Sequence, residues 1–239
     1  MCYNGEDMDG FSDTTEARLR RAWRRFLRGG RVRSAYEVWA EKARGRARHL
    51  SVVMPVRDER IMARVLALQE RLRAIPYLDL HPPHILHLTV RSLGFLVARR
   101  SSPDEVDDDL LPRVLAAVGE VADLTPPFEV RLRRVNSWDT APFVEARSGG
   151  RILAIRAALA ERLPFLQDFN YGEGFLPHLT VGYYNVNGPN DTAVAVLRPL
   201  RYRQLGFFTA PCLCVVEGPA DNLYAPYRFV AEFRLRGAS

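Results

Sequence analysis

The tetrapeptide His-Leu-Thr-Val occurs twice, at 87–90 and at 178–181. Nothing else in the chain restricts its fold so strongly. In a strand, residues i and i+2 share one face, and i+1 and i+3 share the other. His87 and Thr89 therefore project together while Leu88 and Val90 enter a core. His178 and Thr180 repeat the arrangement above Leu179 and Val181. One His-x-Thr on a strand is commonplace. Two identical copies, in a chain with five histidines, call for a shared site. Two imidazoles can exchange protons with the entering and leaving oxygens of a phosphate ester, and two hydroxyls can hold its non-bridging oxygens.

The repeat resembles the mark of the two-histidine phosphoesterases, the superfamily of the 2'-5' RNA ligase-like proteins and RNA 2',3'-cyclic phosphodiesterases. That mark is a twice-given His-hydrophobic-Thr/Ser-hydrophobic motif. In the ligase-like branch a Gly often stands seven residues after the first His, where this chain has Ser92-Leu93-Gly94. An apolar strand ending in Pro precedes the first motif in such proteins, and Leu-Ser-Val-Val-Met-Pro at 50–55 fits that place. The resemblance covers about residues 48–236. It implies an α+β fold of two lobes related by a pseudo-twofold, with antiparallel sheets lining a central cleft and helices outside. It also implies metal-independent cleavage of a 2',3'-cyclic phosphodiester on RNA ends or nucleotides, with His87 and His178 as acid and base, Thr89 and Thr180 beside them, and no cofactor. The alternatives are a 2'-5' RNA ligase, a 2'-5' oligonucleotide phosphodiesterase, and a non-catalytic RNA-binding protein.

Strand parity extends the candidate site. Arg91 shares the face of His87 and Thr89 and is a candidate phosphate contact. Tyr184 shares the face of Thr180, and Phe175 precedes the second motif; both are candidate base platforms, with core packing as the competing role. A Gly at 182 lets a ligand approach the backbone. Many relatives carry a basic residue soon after the second motif, where this chain has Gly182-Tyr183-Tyr184. His49-Leu50-Ser51-Val52 also fits the motif pattern, but it opens the first strand, and His49 is expected at the surface or a strand edge. His81 and His84, in the His-Pro-Pro-His loop, are expected to be exposed or to hydrogen-bond locally, with a place at the substrate rim as the lesser alternative.

Charge is unevenly spread. Residues 18–48 hold twelve basic side chains against two acidic ones, and residues 1–17 hold five acids and no base. The rest is close to neutral. Residues 1–47 thus form a basic helical extension ahead of a two-lobed domain at 48–239. A helix is expected from Asp13, capped with Glu16, to Gly29-Gly30, after a disordered start at 1–11. A second helix is expected at about 34–45, with Tyr36 and Trp39 inward. The arginines are the solvated face of a helical hairpin, a nucleic-acid-contacting arm or, as the least favoured alternative, a membrane-surface helix. No run approaches the roughly 20 apolar residues that cross a bilayer, and the acidic N-terminus lacks a secretory h-region. Cys2, Cys212 and Cys214 show no metal-binding spacing. A reducing, cytoplasmic setting is expected, with no metal. Further along, helices are expected at 57–74, 103–122, 150–163 and 190–199, and strands at 49–56, 85–96, 128–136, 142–148, 178–184, 204–216 and 226–235.

Overall fold

The computed structural model describes residues 8–168 and 174–237, with side chains described from residue 15. Cys2 and residues 1–7 of the expected disordered start lie outside the described residues, and residues 8–11 are helical rather than disordered.

The chain opens with α1 (Met8–Gly29), β1 (Arg31–Val32) and α2 (Ala35–Ala43). Asp13 lies inside α1, so it does not cap it. Glu16 instead reaches Arg134 and Arg147 on the body and pairs with Arg20 at 3.0 Å. Among the described side chains of α1, Leu19 and Phe26 are buried. The carbonyl of Leu19 accepts from Asn136 and that of Phe26 from Asn190, at 2.9 and 2.6 Å. Ser34 caps α2 by accepting from the Glu37 amide at 3.3 Å.

Next come β2 (Arg48–Pro55), α3 (Glu59–Leu72), β3 (Leu78–Leu80), a 3-10 turn at Pro83–Ile85 and β4 (His87–Leu96). Asp58 caps α3, accepting from the amides of Arg60 and Ile61, and Ile61, Val65, Leu68 and Leu72 form its buried stripe. The next helix, α4 (Leu111–Asp123), starts later than expected. Residues 101–106 are tied instead into a turn and a short strand, β5 (Glu105–Val106), by Ser101 and Ser102, whose amides donate to the Glu105 carboxylate at 2.8 and 3.0 Å. Pro112, which has no amide hydrogen to lose, stands in the first turn of α4.

The remainder is β6 (Phe128–Ser137), β7 (Pro142–Arg147), α5 (Arg151–Arg162), β8 (His178–Thr180), β9 (Gly182–Tyr184), β10 (Gly188–Pro189), α6 (Asp191–Leu200), β11 (Gln204–Ala210), β12 (Cys212–Pro219) and β13 (Arg228–Arg234). The expected strand at 204–216 is two strands split at Pro211, as a residue without a donor dictates. The expected strand at 178–184 also breaks, because β9 leaves the main sheet to pair with β3.

One antiparallel path, β11-β6-β7-β8-β4-β2-β12-β13, joins both halves of the molecule, with β5 added parallel to β4. The halves meet at β4 and β8, through the single pair Leu88↔Leu179. Helices α4 and α5 pack on the β4/β12/β13 half, and α1, α3 and α6 on the β6/β11 half. Most core residues belong to one cluster that includes Val52, Met54, Leu88 and Val90 beside Leu179 and Val181. The opposite faces of β2, β4 and β8 line a cleft. Among the described residues, no helix is long and apolar enough to cross a membrane.

Candidate active site

The two repeated tetrapeptides are in register with each other. Leu88 opposes Leu179, so an antiparallel ladder continued by one residue on each side sets His87 against Thr180 and Thr89 against His178. Imidazole and hydroxyl alternate around one small patch. All four side chains line a cavity of about 370 Å³.

Each histidine is oriented in the same way. His87 Nδ1 lies 2.7 Å from the Ile85 carbonyl, and His178 Nδ1 lies 2.6 Å from the Leu176 carbonyl. A carbonyl can only accept, so both Nδ1 atoms carry hydrogen and Nε2 of each neutral ring is the basic atom. His87 Nε2 accepts from the Thr89 hydroxyl at 3.0 Å. Burial lowers the His87 pKa, against the raising influence of the Ile85 carbonyl. Burial likewise pushes His178 down to about 4, with the neighbouring His87 adding to the fall. Trp138 meets His178 edge-on, with ring centroids 4.5 Å apart.

Two more histidines stand in the same cleft wall, contrary to the favoured expectation. His49 is nearly buried, because its face of β2 (His49, Ser51, Val53) is the cleft face. His81 is 3 % exposed. Its amide donates to the Val181 carbonyl at 3.1 Å, and its ring sits edge-on to Tyr183 and Tyr224. Burial pushes it down to about 3. His84 is exposed, as expected.

Three expected substrate contacts lie elsewhere. Arg91 does not share the face of Thr89. Val53 pairs with Thr89 but Val52 with Arg91, so β4 carries a bulge at Val90 and parity reverses beyond it. Arg91 is buried, donating to the carbonyls of Leu163 and Leu166 at 3.3 and 2.8 Å, and Ser92 faces the cleft instead. Tyr184 is fully buried, stacked with Phe26 and hydrogen-bonded to Ser137 at 2.9 Å. The break at Val181 gives the cleft position to Tyr183. Phe175 is a core residue, 3 % exposed, beneath the Arg156 guanidinium. Gly182 serves the fold, since a Cβ there would lie 2.6 Å from the Asp79 carbonyl oxygen.

The basic extension contributes to the cleft. Arg33, Val38, Trp39 and Lys42 line it. Parity reasoning did not reach these residues, nor Tyr183 and Tyr227. Trp39 alone carried a signal, as an aromatic on the inward face of a helix. Away from the histidines, Cys212 and Cys214 are free, with their sulfurs 3.8 Å apart beside Glu232, whose carboxylate is held by Arg57 at 3.0 and 2.6 Å.

A mixed fold of antiparallel sheet and helices, with a His-x-Thr pair from each half meeting in one cleft, defines a two-histidine phosphoesterase architecture. The sequence profile of the 2'-5' RNA ligase superfamily matches residues 58–214. The chain belongs to that superfamily. No curated protein sequence matches it. Among solved structures, TT0787 of Thermus thermophilus superposes with a TM-score of 0.62 at 22 % identity, over 80 % of this chain and 100 % of that one. LigT of E. coli complexed with 3'-AMP gives 0.59 at 15 %, over 79 % and 98 %. A crystal structure described as a phosphoesterase gives 0.55 at 13 %, over 79 % and 98 %. At these identities the likeness is one of fold.

Proposed function

We propose that this protein hydrolyses a 2',3'-cyclic phosphodiester on a nucleotide or RNA end, using His87 and His178 as its proton-transfer pair. The observation that carries the reading is the pairing of the two tetrapeptides, which sets two identically oriented imidazoles and two hydroxyls around one cavity. Water attacks phosphorus while Nε2 of one neutral ring takes its proton. The bond from phosphorus to a ribose oxygen breaks, and the other ring, as imidazolium, protonates that oxygen. The product is a phosphate monoester beside a free hydroxyl. Thr89 and Thr180 donate to the non-bridging oxygens as charge gathers there.

The test is turnover of a 2',3'-cyclic nucleotide with EDTA present. His87→Ala and His178→Ala are each expected to lose roughly 10²–10⁴-fold in kcat with unchanged circular dichroism. Full turnover in either variant sinks the assignment of that residue. Loss of wild-type turnover in EDTA sinks the view that the imidazoles suffice.

A contact with the RNA chain itself is supported by α1. Arg21, Arg24, Arg25 and Arg28 are exposed along it and line one shallow surface groove. Their joint replacement by Gln is expected to weaken single-stranded RNA binding and to reduce the slope of log K against log salt by about 0.7 per lost contact. An unchanged slope removes α1 from the interface.

A further inference from the structure

Residues 31–46 cross the cleft as a strap fastened on both sides. On the β6/β11 half, β1 pairs with β10. Arg33 donates to the Asp139 carbonyl and carboxylate, both at 2.7 Å, and the Ser34 amide donates to Asn187 at 3.0 Å. On the other half, Ala43 packs with Phe95 and Ala220. Arg46 there lies over the Phe95 ring and pairs with Asp104 and Glu105 at 3.0 and 3.2 Å. The superfamily match begins at residue 58, so the strap lies outside the matched stretch.

Between its anchors the strap lowers Trp39 into the cleft. Its ring meets His49 edge-on at 4.9 Å between centroids. Tyr227 stands edge-on to both His49 and His87, at 6.5 and 5.3 Å. Aromatic surface thus runs without interruption from the strap to a reacting histidine. Gly218 makes room for it, since a Cβ there would lie 2.8 Å from the Tyr227 ring and 3.0 Å from that of His49.

His49 adds a polar signal. Its Nδ1 is buried with no hydrogen-bond partner. Its ring also bonds the Gly218 main chain in a way that favours the protonated form, so there the ring donates to a carbonyl. Burial, the larger influence, keeps the ring neutral, pushed down to about 4. A neutral imidazole that donates through one nitrogen presents a bare lone pair at the other. A buried acceptor of that kind calls for a donor.

We propose that Trp39, His49 and Tyr227 form a nucleobase subsite beside His87, in which the aromatic rings hold the base and His49 Nδ1 accepts from an N–H on its edge. The subsite rests on the reading of His87 and His178 as the phosphodiester site, and it makes the substrate a nucleoside cyclic phosphate in preference to a base-free sugar phosphate. A cavity of about 370 Å³ falls in the range of small-ligand sites.

The experiment compares adenosine 2',3'-cyclic phosphate with base-free ribose 2,3-cyclic phosphate on the full chain. Stacking on one aromatic side chain is worth about tenfold or more in affinity. Trp39→Ala and His49→Ala are expected to raise KM for the nucleotide about tenfold, leave its kcat within about twofold, and leave the base-free substrate unaffected. Trp39→Phe, which keeps a ring in the strap, is expected to retain most of the affinity and covers the case in which the alanine variant fails to fold. Equal shifts on both substrates, or on neither, overturn the subsite. If the wild type turns over neither compound, the hydrolytic reading fails and calorimetric binding decides the subsite by itself. Weaker binding of 3'-AMP by Trp39→Ala, with inorganic phosphate binding unchanged, upholds it, and equal binding of 3'-AMP by both proteins rejects it.

Discussion

At the level of single residues, the cleft holds His87 and His178 in a protonation state that does not suit both proposed roles at once. Both rings are pulled below the ordinary histidine value, His178 to about 4, so at pH 7 both are neutral. The proposed reaction needs one neutral ring and one charged ring. That singly protonated pair is most populated between its two macroscopic pKa values. The profile of kcat/KM, which reports the free enzyme, is therefore expected to be a bell whose maximum lies below about pH 6.5. A plateau above pH 7 contradicts it. The four residues of this pair were legible in the sequence because a repeated tetrapeptide carries its own parity. Arg91 and Tyr184 were misplaced because parity counting assumes an unbroken ladder. The bulge at Val90 is fixed by how β4 pairs with β2, and the break at Val181 by the pull of β9 toward β3. Neither leaves a mark in the residues on either side.

Elements whose boundaries rest on local chemistry were readable. The helices expected at 57–74, 150–163 and 190–199 are α3, α5 and α6 to within a few residues, and the buried stripe of α3 repeats along one face. Boundaries set by distant contacts were not. The start of α4 depends on Glu105, which is claimed by Ser101, Ser102 and Arg46. That Arg46 belongs to the strap, 59 residues upstream. Gly94 shows how a family signature acquires a physical reason. Its φ is +130°, and an added Cβ would lie 2.5 Å from the Asp104 carbonyl oxygen, to which the next residue, Phe95, donates its amide at 2.8 Å. Any side chain at 94 pushes β5 away from β4. Gly94→Ala is expected to cost roughly 2–3 kcal/mol, read as a lower urea midpoint at constant m-value. A midpoint within error of wild type contradicts this account of the glycine.

Across the whole molecule, four histidines line a single cleft, and this ties stability to pH in a definite direction. His49, His81 and His178 are pushed down to about 4, 3 and 4, in each case first by burial. In the unfolded chain they titrate near 6.5. Between these values the unfolded state binds protons that the folded state refuses, so stability rises with pH across that window and levels off above about 6.5. At pH 5 each of the three withholds about 2 kcal/mol relative to neutral pH. Their combined effect is a large share of the roughly 5–15 kcal/mol available to a domain. Helices α3 and α5 each follow a strand of one half and pack on the other, α3 on β11 and α5 on β4, so the halves are knitted together and the loss is expected in one cooperative transition. Urea midpoints are expected to fall steeply from pH 6.5 to 5. His81→Gln, which removes one refused proton while keeping a polar side chain between Tyr183 and Tyr224, is expected to flatten that fall by about one proton in the linkage slope. An unchanged slope in the variant means that His81 is already charged in the folded cleft. An anion between His87 and His178 favours the protonated rings, so inorganic phosphate is expected to restore more stability at pH 5 than at pH 7. In the proposed reaction the substrate takes the same part, as the counter-charge that lets a buried imidazole hold the proton it delivers.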